Sequence, residues 1–196
     1  MSKVQQNKEK KKQAILEAAQ RVFISEGFVQ ASMDEIAKRS SVTKQTVYRY
    51  FPSKAELFEA TLRKMGEVTH GGFSPYLELA NTEEALTGFA KEFIEAHLCD
   101  EHLATLKLLI NESSQAPELT SRFYSVGPDN THNQLSRFFE ERFNSDNPES
   151  LVSLWTAMLL SQRTGVLLGK EKPNTQQIEQ HAWDATQFLL AAIPLR

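Results

Sequence analysis

The sequence predicts an all-α fold divided into a small basic module and a larger acidic one. Three observations carry that prediction. Apolar residues recur at helical spacing through almost the whole chain, and no segment alternates as a half-buried strand would. Glycine at 8 and proline at 7 are few among 196 residues, which disfavours a turn-rich β-sandwich or a collagen-like repeat. Charge is unevenly divided: residues 1–64 hold 13 Lys+Arg against 7 Asp+Glu, the remainder 9 against 18, and the net charge is −3. A basic third on an acidic remainder points to nucleic acid or an anionic membrane surface as partner of the basic part. A solvated lysine tail accounts for the same charge, since Lys3, Lys8, Lys10, Lys11 and Lys12 supply 5 of the 13.

In the first module, Ile15, Ala18, Ala19, Val22 and Phe23 form one helical stripe, and Gly27 can end it in the left-handed conformation. Ser32-Met33-Asp34-Glu35 is a capping box opening a short helix to about Arg39, with Ile36 and Ala37 inward. Ser40-Ser41-Val42 is a tight turn, and Thr43 caps a third helix that runs to Tyr50 and stops at Phe51-Pro52. Ser53-Lys54-Ala55-Glu56 caps a fourth, with Leu57, Phe58, Thr61, Leu62 and Met65 inward. Gly71 and Gly72 break the pattern ahead of Ser74-Pro75 and mark the junction.

Beyond the junction, Asn81 and Thr82 cap a helix carrying Leu86, Phe89, Ala90, Phe93, Ile94 and His97, and Leu103, Leu106, Leu109 and Ile110 mark the next. A helical segment from about Pro117 to Phe143 is interrupted near Gly127-Pro128-Asp129, where proline removes a donor. Asn147-Pro148 starts a helix with Leu151, Leu154, Trp155, Met158 and Leu159. Pro173-Asn174-Thr175 starts the last, with Ile178, Ala182, Ala185, Phe188, Leu189 and Ala192 inward.

Two short capped helices joined by a tight turn behind a longer packing helix suit a helix-turn-helix that reads DNA. Val47 faces inward while Thr43, Lys44, Gln45, Thr46, Tyr48 and Arg49 point elsewhere, and such side chains pair with base edges and phosphates. The Tyr48 and Tyr50 hydroxyls can donate to phosphates, and Lys54 lies in a first helical turn, where an anion is favoured. An ordinary surface helix packed by Tyr48 and Phe51 is the bland alternative.

The stretch from Ala14 through Leu62 resembles the amino-terminal domain of TetR/AcrR-type transcriptional regulators. The likeness lies in Ile15-Leu16-Glu17-Ala18-Ala19, Phe23, Gly27-Phe28 and Met33-Asp34-Glu35-Ile36-Ala37, then in the run Val42 to Phe51 and in Ser53-Lys54-Ala55-Glu56-Leu57. The resemblance implies that Lys44, Gln45 and Thr46 contact bases or phosphates, that Tyr48, Tyr50 and Lys54 contact phosphates, and that Ser32 contacts DNA at the second helix's start. Ser41 stands where the family commonly has glycine, and Gln45 where it often has glycine or alanine. The first closes the turn less well and the second offers an added base contact. It further implies a helical ligand-binding domain, a homodimer through the last two long helices, and release of DNA on ligand binding. Leu108-Leu109-Ile110 through Pro117-Glu118-Leu119, with Phe123-Tyr124 and Gly127-Pro128, is similar to the carboxy-terminal domain of an AcrR-like subgroup.

The expected organisation is a flexible basic tail (1–12), a helix-turn-helix DNA-binding domain (13–70) and a ligand-binding and dimerisation domain (71–196). Phe89, Phe93, His97, Phe123, Tyr124, Trp155 and Met158 are the candidate lining of a pocket for an apolar or amphipathic small-molecule effector, with core packing as the plain reading at each position. Leu151, Leu154, Ile178, Ala182, Ala185 and Leu189 are the candidate dimer face, the small residues allowing close helix approach. Without the resemblance these stripes read first as closing the monomer's own core. His97 and His102, five apart, fall on different helical faces, and Cys99 between them completes no metal set and reads as a small buried residue. No phosphate loop, metal motif or activated nucleophile is present in sequence, so neither an enzyme nor a cofactor is expected. No run approaches the roughly 18 apolar residues of a membrane span, and no signal peptide opens the chain, so a cytoplasmic protein is expected. The reading is a homodimeric repressor of a palindromic double-stranded operator, released by an effector and needing no membrane. Deleting residues 1–12 is expected to leave operator binding largely intact.

Overall fold

The computed structural model describes residues 2–193, and within them the side chains of all but residues 67–72, 128 and 129. Helices follow in the order α1 (Lys3–Glu26), α2 (Met33–Arg39), α3 (Lys44–Tyr50), α4 (Lys54–Phe73), α5 (Thr82–Leu98), α6 (Asp100–Glu112), α7 (Glu118–Val126), α8 (Pro128–Arg142), α9 (Pro148–Leu159), α10 (Arg163–Leu167) and α11 (Thr175–Ala192). A 3-10 turn, Ser74–Glu78, precedes α5, and no strand occurs among the described residues. Two units emerge: residues up to Gly66 with Ala104–Gly127, and Glu67–Leu103 with the chain from Pro128 onward.

In the first unit α1 supplies Ile15, Leu16, Ala18, Ala19, Val22 and Phe23 to the core, joined by Ile36 of α2, Val47 of α3 and Leu57, Phe58 and Leu62 of α4. Phe58 meets Phe23 and Phe28 edge-on, with ring centroids 5.3 and 5.4 Å apart, a favourable aromatic geometry. Leu108, Leu109, Ala116 and Leu119 belong to this same core. Expected as a tail, residues 3–12 are instead the opening turns of α1, capped by Ser2, whose hydroxyl accepts the Gln5 N–H. Lysine and glutamine are good helix formers, and a helix already fixed by its buried stripe extends at little cost.

The second unit is built on aromatic rings. Phe73, Phe89, Phe93, Phe139, Phe143 and Trp155 are all buried, and α11 closes this core with Ile178, Ala182, Ala185, Thr186 and Leu189. The expected break at Gly71-Gly72 is absent, because α4 continues through Phe73 and stops at Ser74-Pro75. Two helical glycines cost about 1 kcal/mol each. Phe73, fully buried with its ring 5.0 Å from Phe89 and 5.6 Å from Phe93, offsets that cost. The interruption at Gly127 does occur, between α7 and α8. Asn147 and Asn174 cap α9 and α11 through their side-chain oxygens.

Two inward assignments fail on α11: Phe188 is 67% exposed, and Ala192 is exposed. Ile110 of α6 is likewise exposed, and Leu108 takes the buried position. The separation of His97 from His102 fails as well, since their rings lie 4.5 Å apart. Face arithmetic assumed one continuous helix, but α5 ends at Leu98 and Cys99 is extended (φ −66, ψ 154). Cys99 is half-buried, and its sulfur accepts the His102 N–H at 3.4 Å at the start of α6. Burial pushes its thiol above the ordinary value of 9.0. No cluster of three or more metal-ligating side chains occurs among the described residues.

Candidate nucleic-acid interface

The turn between α2 and α3 is held by short-range polar contacts. Ser40 is buried and donates its hydroxyl to the Ile36 carbonyl at 2.7 Å, and the Val42 N–H reaches the Ala37 carbonyl at 3.0 Å. Between them Ser41 adopts φ +56, alone among non-glycine residues described in the left-handed region. A side chain there costs about 1–2 kcal/mol, which explains the glycine expected at this position. Thr43 then caps α3, its hydroxyl accepting the Thr46 N–H at 3.2 Å. Val47 is fully buried and fixes the rotation of α3. Lys44, Gln45, Tyr48 and Arg49 are consequently exposed, while Thr46 and Tyr50 are half-buried.

Each expected contact residue has a definite setting. Ser32 caps α2, its hydroxyl oxygen taken by the Glu35 N–H at 3.1 Å. Lys44 pairs with Asp34 at 2.8 Å, with both side chains more than half exposed. That hydrogen bond raises the Lys44 pKa above 10.5, but an exposed pair contributes little and exchanges readily for a phosphate. The Arg49 guanidinium lies 5.7 Å from the Tyr50 ring centre. Tyr50 donates its hydroxyl to the Lys8 carbonyl at 3.2 Å.

Lys54 does not project freely. Its ammonium donates to the Val29 and Ala31 carbonyls, both at 2.9 Å, and sits 4.7 Å from the Phe28 ring centre. Burial lowers its pKa below 10.5, against a smaller upward pull from Glu112. Lys54 therefore ties α4 to the segment between α1 and α2.

Three contacts lay beyond sequence reasoning. Glu112 accepts the Val29 N–H at 2.9 Å, 83 residues away. Arg122 of α7 pairs with Glu59 of α4. Arg39 holds Glu35 and Glu26 at 2.7 Å each, joining α2 to α1. Only the Glu35–Arg39 spacing of four was visible in advance.

The expected effector lining is divided. Phe89, Phe93 and Trp155 are buried in the second unit's core, with His97 and Met158 half-buried, whereas Phe123 and Tyr124 belong to the first unit. A groove of about 620 Å³ opens elsewhere, lined by Asn81, Thr82, Glu83, Gln187, Leu190 and Ala191. Of the expected dimer residues, Ile178, Ala182, Ala185 and Leu189 are buried within the monomer. Leu151 is half-buried and Leu154 is 62% exposed.

Comparison with known proteins agrees with this geometry. Residues 15–61 match the family model of bacterial regulatory proteins of the tetR family. Residues 84–192, over half of the chain, match that of the AefR-like transcriptional repressor carboxy-terminal domain. SrpR, an HTH-type transcriptional regulator of Pseudomonas putida, is 33% identical over 78 residues, 40% of this chain and 37% of that protein. The match thus spans well under half of that relative's length. Among solved structures, the flavonoid-responsive regulator FrrA is 29% identical with a TM-score of 0.81, covering 93% of this chain and 96% of its own. A transcriptional regulator from Mesorhizobium loti MAFF303099 shares the fold at 23% identity and TM-score 0.80, over 98% of this chain and 99% of that one.

Proposed function

The chain belongs to the TetR family of bacterial transcriptional regulators, and from that premise we propose that it is a homodimeric repressor of a palindromic operator, released by a small-molecule effector. That it is a DNA-binding regulator and not an enzyme follows from the family. The observation that carries the reading is α3 itself: two turns long, anchored by buried Val47, and exposing Lys44, Gln45, Tyr48 and Arg49 together. A helix of that kind fits the major groove, with Gln45 able to read adenine and Lys44 able to reach guanine or phosphate. Ser32, Thr43, Thr46 and Tyr50 border that face, and Lys54 acts through the positioning of α4.

A dimer face is supported by apolar side chains that the monomer does not bury. Leu154 and Phe188 are 62% and 67% exposed, on α9 and α11, and half-buried Leu151 and Met158 flank Leu154 at helical spacing on α9. His181 joins the two helices through the Met158 carbonyl at 2.9 Å. Ala182, Ala185, Ile178 and Leu189 then serve as the floor beneath that face. Two heads about 34–36 Å apart select a two-fold symmetric site.

Effector binding by the second unit is supported by buried polar atoms without hydrogen-bond partners among the described residues: Trp155 Nε1, Ser136 Oγ and Thr186 Oγ1. Each costs about 1–3 kcal/mol unless a ligand satisfies it. Together with the aromatic rings they suit an amphipathic effector, and the likeness to FrrA makes a polyphenolic aromatic the first class to test. The protein acts in the cytoplasm, with the DNA; no described helix is long and apolar enough to cross a membrane. Selection of duplexes from a random pool, with and without a flavonoid panel, tests the proposal. It predicts a symmetric enriched sequence whose binding one effector class abolishes, and an asymmetric site bound by a single subunit contradicts it.

A further inference from the structure

The lysine side chains at the start of α1 take no part in the interface described above, which meets this stretch only at the Lys8 carbonyl. α1 begins at Lys3, about three turns before Ile15, its first buried residue. Stepping back from Ile15 by 3, 4 and 7 residues, the face that buries Ile15, Ala18, Ala19 and Val22 continues as Lys12, Lys11 and Lys8. All three are exposed, so the packing face turns cationic where the core ends. No carboxylate among the described residues lies within ion-pair distance of these three. Glu9 is off that face and accepts a hydrogen bond from Gln13 at 2.9 Å. The strip is tied to α3 at one point, where Tyr50 donates to the Lys8 carbonyl, and Arg49 adds a further cation over the Tyr50 ring.

We infer that Lys8, Lys11 and Lys12 form a second phosphate-binding strip, which grips the duplex backbone beside the bases that α3 reads. The inference rests on the DNA-binding reading above and reverses the expectation that residues 1–12 are dispensable. Lys8 to Lys12 spans about 6 Å of helix axis, within reach of two or three successive phosphates at 3.4 Å of duplex axis each. Like charges that no acid neutralises call for a polyanion, and the Tyr50 tie directs the strip toward the ligand of α3. An anionic bilayer fits less well, because Val4 is the one large apolar side chain on that stretch and membrane-surface helices need an apolar face.

The test titrates the full-length chain on its selected operator and on an unrelated duplex between 50 and 200 mM salt. The triple variant Lys8→Gln, Lys11→Gln, Lys12→Gln is expected to bind both duplexes at least tenfold more weakly at low salt. Its slope of log K against log salt becomes shallower by about 0.9 per lysine in each protomer. The opposite-face control Lys3→Gln, Lys10→Gln keeps the parent's slope. A triple variant with the parent's slope and affinity overturns the inference, as does a control that loses as much. Loss of binding to phosphatidylserine vesicles with duplex binding unchanged overturns it in favour of a membrane. A parent chain that binds no duplex at all instead removes the DNA-binding reading beneath it.

Discussion

Buried polar groups are treated differently in the two units. In the first, Ser40 and Thr61 are buried with their hydroxyls on the Ile36 and Leu57 carbonyls at 2.7 and 2.8 Å, and Lys54 satisfies two carbonyls at once. In the second, Trp155 Nε1, Ser136 Oγ, Thr186 Oγ1 and Thr87 Oγ1 are buried with no hydrogen-bond partner among the described residues. A reading head gains from one fixed geometry, because base readout fails when α3 shifts by an ångström or so. Orphaned polar groups lower stability, and such departures collect where a protein binds something. Under the proposed function, this contrast fits a rigid first unit and a responsive second one.

The largest expected effect strikes the head. Gly27 has φ +83 and ψ 162, a region open to glycine alone, and a Cβ there would collide with the Glu112 carboxylate. Gly27→Ala is expected to cost about 2–3 kcal/mol in urea unfolding; an unchanged midpoint would mean that the loop relaxes freely and the head is not rigid. Thr186→Val should act oppositely in the second unit, raising stability by about 1 kcal/mol by removing an unsatisfied hydroxyl while weakening the effector response. Loss of stability instead would show that the hydroxyl has a partner and erase the contrast. Ser41→Gly should add about 1 kcal/mol by relieving the left-handed turn, with operator preference unchanged.

The smallest effect concerns acid. Glu59 is held below its ordinary 4.5 by hydrogen bonds, from Arg63 first and then Arg122, against a raising effect of burial. A depressed folded value means that its contribution is present above about pH 4.5 and is lost as pH falls through the folded value. Glu59→Gln should therefore flatten the stability profile of the head in that acidic window, and an unchanged profile would remove Arg122 and α7 from the head's support.

Much of the head was legible because its signals are local. Ser32, Thr43 and Ser53 each cap a helix within three residues, and the 3.6-residue stripe from Ile15 to Phe23 is the core that forms. The Ser41 departure from glycine was legible too, and its φ shows why glycine suits the site. The remainder depended on long-range contacts that no spacing encodes. Lys54 has the right helical position for a phosphate, yet the carbonyls that hold its ammonium belong to Val29 and Ala31. His97 and His102 meet because the chain turns at Cys99 between two helices, which a count of five residues along one helix leaves out. On α11 the apolar stripe is wider than the buried face, since a core takes only as many side chains as its partner helix can cover, leaving Phe188 outside.

In the proposed function, α3 reads bases while the residues around it hold phosphates and geometry. Comparing Gln45→Ala with the parent on the selected operator and on a panel of single-base variants addresses it directly. The substitution is expected to relax preference at particular base pairs by about 1–3 kcal/mol and to leave binding to unrelated duplex unchanged. Equal losses on every duplex would contradict it.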